Sequence, residues 1–145
     1  MDSFRIGVQV FESGFRPTFI VGLWRGGSAV GIYVQECLQA LGVETNHISV
    51  RTSYRGQPEY RNMIEAPKGI RVHGIQYLIE NLNADDSLLI VDDVCSSGYS
   101  IQAVQKRLKE TLKLNYPRQV KSAVLWHRPK FRKTDGQPDY CLHTT

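Results

Sequence analysis

The chain is short of cysteine, and the three it has, Cys37, Cys95 and Cys141, are odd in number and widely separated. With no C-x-x-C pair and no Cys/His cluster, they fit free thiols rather than a disulfide frame or a zinc site. Long hydrophobic runs are also missing: the longest aliphatic stretch is Leu88 to Val91, against the roughly 20 residues that a bilayer span needs. The opening Met1-Asp2-Ser3-Phe4-Arg5 carries no signal-peptide pattern, so a cytoplasmic protein without membrane contact is expected. The excess of one charge sign is small as well. Lys and Arg number 18 against 14 for Asp and Glu, a net +4, which favours anionic partners mildly without separating phosphates from nucleic acids. Neither G-x-x-x-x-G-K-[ST] nor a post-strand G-x-G-x-x-G occurs, and there is no internal repeat, linker or low-complexity segment. What remains is ordinary: 145 residues, 41% hydrophobic, 22% charged and 10% aromatic, the profile of one globular domain spanning 1–145.

Periodicity divides this domain into alternating strands and helices. Phe4, Val8 and Phe11 fall on one face of a short first helix, which Gly7 weakens and Ser13 to Pro17 ends. Thr18 to Leu23 is an apolar run bounded by Pro17 and Gly26-Gly27, suited to a buried parallel strand. From Ser28 to Leu41, Val30, Tyr33, Val34, Cys37, Leu38 and Leu41 recur at helical spacing, with Gly42 placed as a C-terminal cap. Ile48 to Val50 predicts a second strand. Arg51 to Gly69 is polar, holds Gly56, Pro58 and Pro67, and shows no period, so a long mobile loop is expected there. Further on, Ile70 to Val72 predicts a short strand, Ile75 to Leu82 a helix, and Leu88 to Val91 the most buried strand. After Ser96-Ser97-Gly98 a helix should run to about Leu114, with Ile101, Val104, Leu108 and Leu112 inside and Lys106, Arg107, Lys109 and Lys113 outside. Ala123 to Trp126 and Tyr140 to Leu142 complete the strands. This order predicts an α/β fold: a mostly parallel central sheet flanked by helices.

In such sheets ligands bind beyond the carboxyl ends of the strands, and one segment there carries most of the chemistry. Leu88-Leu89-Ile90-Val91 is followed by Asp92-Asp93-Val94-Cys95 and then by Ser96-Ser97-Gly98-Tyr99-Ser100, a hydroxyl-rich turn that opens a helix. Backbone N–H groups at a helix start, with Ser hydroxyls beside them, cradle a phosphate monoester. Adjacent carboxylates accept hydrogen bonds from vicinal hydroxyls, or approach magnesium through water. The plainer alternative is a helix cap beside a solvated turn. Four apolar residues, two acids and a Ser/Thr-Gly turn together resemble the PRPP-binding signature of type I phosphoribosyltransferases.

That resemblance gives the neighbouring segments a meaning. Leu23-Trp24-Arg25-Gly26-Gly27-Ser28 looks like the basic-Gly-Gly pyrophosphate loop of the hypoxanthine-guanine and xanthine-guanine enzymes, with Arg25 and the N–H groups of Gly26 and Gly27 holding a diphosphate. Ser53-Tyr54 is similar to the pair that begins their catalytic lid, in the segment that also holds Arg51, Arg55 and Arg61. Closure of such a lid excludes water from a centre of oxocarbenium character. In Trp126-His127-Arg128-Pro129, Arg128 matches the Lys that meets the purine 6-oxygen, with His127 as runner-up. Pro138-Asp139-Tyr140 resembles the step before the last strand of the subgroup. Two departures stand out. Position 96 is normally an Asp that handles the proton on purine N7 and is Ser96 here, a poor general base. The family's next strand, with a base-stacking aromatic and a later acid, is not in the sequence, so a small, truncated C-terminal hood is expected.

The resemblance therefore implies a magnesium-dependent transferase that moves 5-phosphoribose from PRPP to a 6-oxopurine (hypoxanthine, guanine or xanthine) and releases pyrophosphate. Asp92 and Asp93 are expected at the ribose hydroxyls and, through water, at the metal. Ser96, Ser97, Gly98, Tyr99 and Ser100 are expected at the 5-phosphate, Arg25, Gly26 and Gly27 at pyrophosphate, Ser53 and Tyr54 in the lid, and Arg128 at the base. A homodimer or homotetramer is implied in the same way. The alternatives are a PRPP-binding regulator without turnover, for which Ser96 and the early end speak, and a transferase for another nucleobase. Nucleic-acid binding rests only on the charge runs Lys106 to Lys113 and Arg128 to Lys133 and is not expected.

Overall fold

Alternation of apolar runs with helical repeats closes into one six-stranded sheet covered on both faces. A computed structural model describes residues 2–24, 26–54, 70–73, 75–95, 99–128 and 138–144. In chain order these form α1 (Asp2–Glu12), β1 (Phe19–Trp24), α2 (Gly26–Ala40), β2 (Asn46–Tyr54) and β3 (Ile70–His73). Then come α3 (Gln76–Asn81), β4 (Ser87–Cys95), α4 (Tyr99–Leu112) with a 3₁₀ turn at Lys113–Asn115, β5 (Gln119–His127) and β6 (Tyr140–Thr144). The spatial order is β3-β2-β1-β4-β5-β6. Every neighbouring pair is parallel except β2 with β3, which makes β3 an antiparallel edge.

The central strands are buried on both sides, which is why β1 and β4 read as continuous apolar runs. Strand alternation sends Leu88 and Ile90 into one core with α3 and α4, and Leu89 and Val91 into the other with α1 and α2. All four are fully buried. On α4 the inner face is the expected Ile101, Val104, Leu108 and Leu112. Its basic outer face is solvated, and Lys106 reaches Glu110 at only 3.9 Å, an exposed pair that contributes little. The end of α2 is also as its spacing predicts. Gly42 has φ +89°, its N–H donates to the Gln39 carbonyl at 3.0 Å, and the Val43 N–H donates to the Leu38 carbonyl at 2.8 Å, a Schellman cap.

Two strand boundaries and one helix face depart from the sequence reading for identifiable reasons. Arg51 to Tyr54 is not loop but the end of β2, since Arg51 to Tyr54 pair with His73 to Ile70 of β3. The proposed loop's remainder, 55–69, lies outside the described residues. β4 continues four residues past Val91, because β5 runs beside it and pairs Asp92, Val94 and Cys95 with Val124, Trp126 and His127. In α1 the buried face is Ile6, Gly7 and Val10, while Val8 is exposed. The helix turns this way because Gly7 lets it sit against α2: a β-carbon at Gly7 would lie 2.9 Å from both Cβ and Sγ of Cys37. Phe4 is left at the rim, edge-on to Tyr33 with ring centroids 6.0 Å apart. Burial raises the Cys37 thiol above its ordinary pKa, which suits an inert packing group. Among the described residues no helix is long and apolar enough to cross a membrane.

The α1–α2 contact yields a stability prediction. Gly7→Val should destabilise the fold by about 1–3 kcal/mol through overpacking against Cys37, seen as a lower urea midpoint; an unchanged midpoint would mean that α1 is not held at this distance.

Candidate active site

From β1 the chain passes through α2 to β2 on one side, and from β4 through α4 to β5 on the other, so the order reverses between β1 and β4. Crevices at such a switch point, beyond the strand carboxyl ends, are where open α/β sheets hold ligands. The register sets the two lips level, since Gly22 of β1 pairs with Val91 of β4. Just past Gly22, α2 begins at Gly26; just past Val91 stand Asp92 and Asp93.

These lips touch. A β-carbon at Gly26 would fall on the Asp93 carboxylate, and one at Gly27 would lie 3.0 Å from Asp92 Cα and 3.3 Å from its Oδ1. The glycine pair thus has a task beyond exposing N–H groups: it lets the helix start seat on the acids with no side chain between. The acids are held from their own backbone, the Asp93 N–H donating to Asp92 Oδ1 at 2.8 Å and the Val94 N–H to Asp93 Oδ1 at 2.9 Å. Burial is the main cause that pushes the Asp92 pKa up to about 8, and the neighbouring Asp93 carboxylate adds to it. A carboxyl dehydrated this way, beside a second one, favours a proton or a cation. Among the described residues no three-residue cluster of metal-ligating side chains occurs.

Of the remaining site residues, the described ones lie at the same end of the sheet. Tyr99 and Ser100 open α4. Arg128 directly follows β5, and its N–H donates to the Cys95 carbonyl at 2.9 Å, tying the ends of β4 and β5 together. Ser53 and Tyr54 close β2 at that end. Arg25 and the turn Ser96-Ser97-Gly98 lie outside the described residues. His127 is buried, which suits a packing role better than a base contact. Asp139 is structural: its carboxylate accepts from the Ser122 N–H at 2.9 Å, and its N–H donates to the Ser122 carbonyl at 3.0 Å. One cluster had no sequence signal. His143 Nε2 lies 3.1 Å from the Asp2 carboxylate, and its ring is stacked on Trp126 with centroids 4.5 Å apart. Residues 2 and 143 meet only through the fold.

A family model described as phosphoribosyl transferase domain matches residues 5–144. Among solved structures, the purine phosphoribosyltransferase of Pyrococcus horikoshii superposes with TM-score 0.69 at 19% identity, covering 99% of this chain and 80% of that one. A hypoxanthine phosphoribosyltransferase of Trypanosoma cruzi gives 0.70 at 14% identity over 99% and 70%. That of Staphylococcus aureus gives 0.70 at 17% over 99% and 73%. No curated protein matches the sequence. At these identities the structural likeness is one of fold.

The dehydrated acid makes a signed prediction. A carboxyl whose pKa rises from 3.8 unfolded to about 8 folded binds more protons in the native state, so its stabilisation is complete below pH 4 and is lost as pH climbs through 8. Asp92→Asn should therefore melt above the native chain at pH 8 and converge with it near pH 4 in parallel thermal scans. A melting gap independent of pH would show that Asp92 is not dehydrated.

Proposed function

The chain belongs to the phosphoribosyltransferase family, and from that premise we propose that it transfers 5-phosphoribose from PRPP to N9 of a 6-oxopurine, releasing pyrophosphate, as a salvage enzyme. The observation that carries this reading is the acid pair Asp92-Asp93 seated on the Gly26-Gly27 helix start at the switch point of the sheet. Carboxylates there meet the ribose 2- and 3-hydroxyls as acceptors. Ser96, Ser97 and Gly98, with Tyr99 and Ser100 at the start of α4, take the 5-phosphate on N–H groups and hydroxyls. Arg25, Gly26 and Gly27 take the diphosphate, and Arg128 donates to the base oxygen. Ser53 and Tyr54 begin the segment that closes over the leaving group and keeps water from the ribosyl carbon. Two adjacent carboxylates with a poorly hydrated member suit a divalent cation, and Asp92 and Asp93 would hold magnesium through water, where it would supply positive charge toward departing pyrophosphate. Work in the cytoplasm as a homodimer or homotetramer belongs to the same reading.

A second reading has one specific support. Ser96 stands where the related enzymes carry an Asp for the N7 proton, and a chain that holds PRPP without that base would act as a PRPP-binding regulator. Pyrophosphate release from PRPP and magnesium, with hypoxanthine, guanine, xanthine, adenine, uracil and orotate offered separately, separates the two. The transferase reading expects release with a 6-oxopurine. Calorimetric PRPP binding without release for any base would replace it with the regulator. In the active chain, Asp93→Asn should lower kcat by about a hundredfold, the scale of losing one preorganised electrostatic contact, while leaving the melting curve intact; full activity would remove the acid pair from the mechanism.

A further inference from the structure

Beside the acid pair the sheet presents a row of side chains that its core does not need. The register places Val94 of β4 opposite Trp126 of β5, and Trp126 opposite His143 of β6. Strand alternation puts the three on the face shared with Asp92, two residues beyond it along the sheet. Beneath them the core is already closed by Val124, fully buried, with Cys141 packed against it. Val94 and Trp126 are nevertheless 39% and 41% exposed. A large indole left open at a ligand-facing strand end is a contact surface in search of a flat partner.

The indole is also braced. The His143 ring lies against it at 4.5 Å with 30° between the planes. His143 in turn is pinned by Asp2 at the start of α1, Nε2 to Oδ2 at 3.1 Å. The His143 hydrogen bond is the main cause that holds the Asp2 carboxyl below its ordinary pKa, so the contact is made by an ionised acid. A chain of contacts thus runs from the first helix through the last strand to the open tryptophan. Nothing in packing alone calls for it, since both polar members stay partly exposed.

We propose that Trp126 is the wall against which the acceptor base lies, and that His143, held by Asp2, is the residue that positions it. The proposal rests on the phosphoribosyltransferase reading, because the ribose hydroxyls held at Asp92 bring the sugar's anomeric carbon next to this row. The ligand class it takes is a planar heteroaromatic base. An aromatic face recognises such a base by stacking whatever its edge pattern, so Trp126 governs how tightly a base is held, and Arg128 which base is chosen.

Steady-state kinetics on the full chain test this, with the base and PRPP varied separately. Trp126→Ala should raise the base KM by roughly tenfold to a hundredfold, the range of one lost stacking contact, while Trp126→Phe stays within about threefold and the PRPP KM is unchanged in both. His143→Ala and Asp2→Ala should each raise the base KM by a similar smaller factor. The double variant should be no worse than either, the non-additivity of residues acting in series. Hypoxanthine or guanine should also quench native tryptophan emission and fail to do so in Trp126→Phe. Native turnover with an unchanged base KM in Trp126→Ala, or additive effects of His143→Ala and Asp2→Ala, overturns the assignment alone. A native chain that neither turns over nor responds in fluorescence to any base overturns the assignment together with the transferase reading.

Discussion

The candidate site depends on the contact between a helix start and a strand end. Gly26 and Gly27 lie so close to Asp93 and Asp92 that no side chain fits between them, and this closeness does two things at once. It removes water from Asp92, raising its pKa. It also sets the partial positive charge of the α2 N-terminus against the acid pair, where an anion is favoured. The two effects oppose each other: dehydration favours a proton or a cation at Asp92, and the helix end favours the ionised carboxylate. The glycines are the steric condition for both, and the parallel pairing of β1 with β4 is their scaffold, because that register decides which residues of the two strands come level.

Such a contact persists only if neither lip can retreat. β4 is anchored on both faces, with Leu88 and Ile90 in one core and Leu89 and Val91 in the other, all without solvent exposure. Each contributes about 1.5–3 kcal/mol of burial, so the strand resists being drawn back. α2 is anchored similarly through Val30, Val34 and Leu38 and stopped at its far end by the Gly42 cap. The imidazole of His47, on β2, fills the space that Gly22 and Gly31 leave open, and burial keeps it below its ordinary pKa and so in the neutral form. Ordinary apolar packing therefore holds a polar arrangement that would not stand alone.

The β6 edge is secured differently, by specific polar links. Asp139 exchanges two backbone-directed hydrogen bonds with Ser122, Ser13 and Tyr140 share one at 2.7 Å, and Asp2 meets His143. Through the last two, α1 and the residue Ser13 just after it clasp the last strand and blunt the open side of the sheet. The same clasp ends at Trp126, so the device that protects an edge also shapes the ground beside the acids.

How much of this was legible beforehand follows from the range of the forces involved. The α/β class, the strands at Val21, Ile90 and Val124, the inner face of α4 and the cap at Gly42 are consequences of local periodicity and backbone preference, which a linear string records. Asp92-Asp93 was legible for the same reason, since acids that interrupt a buried run are conspicuous. In α1 the string pointed to the face of Phe4, Val8 and Phe11, and the approach of Cys37 to Gly7 turned Ile6, Gly7 and Val10 inward instead. Where it showed polar residues, as from Arg51 to Tyr54, pairing with β3 made a strand. The glycine pair was legible as a turn but not as a seat for carboxylates, and the line from Asp2 through His143 to Trp126 was not legible at all. Secondary structure and motif identity belong to the sequence because they arise from neighbours along the chain; dehydration of Asp92 and the brace on Trp126 belong to the tertiary structure because they arise from groups that only strand register and helix packing bring together.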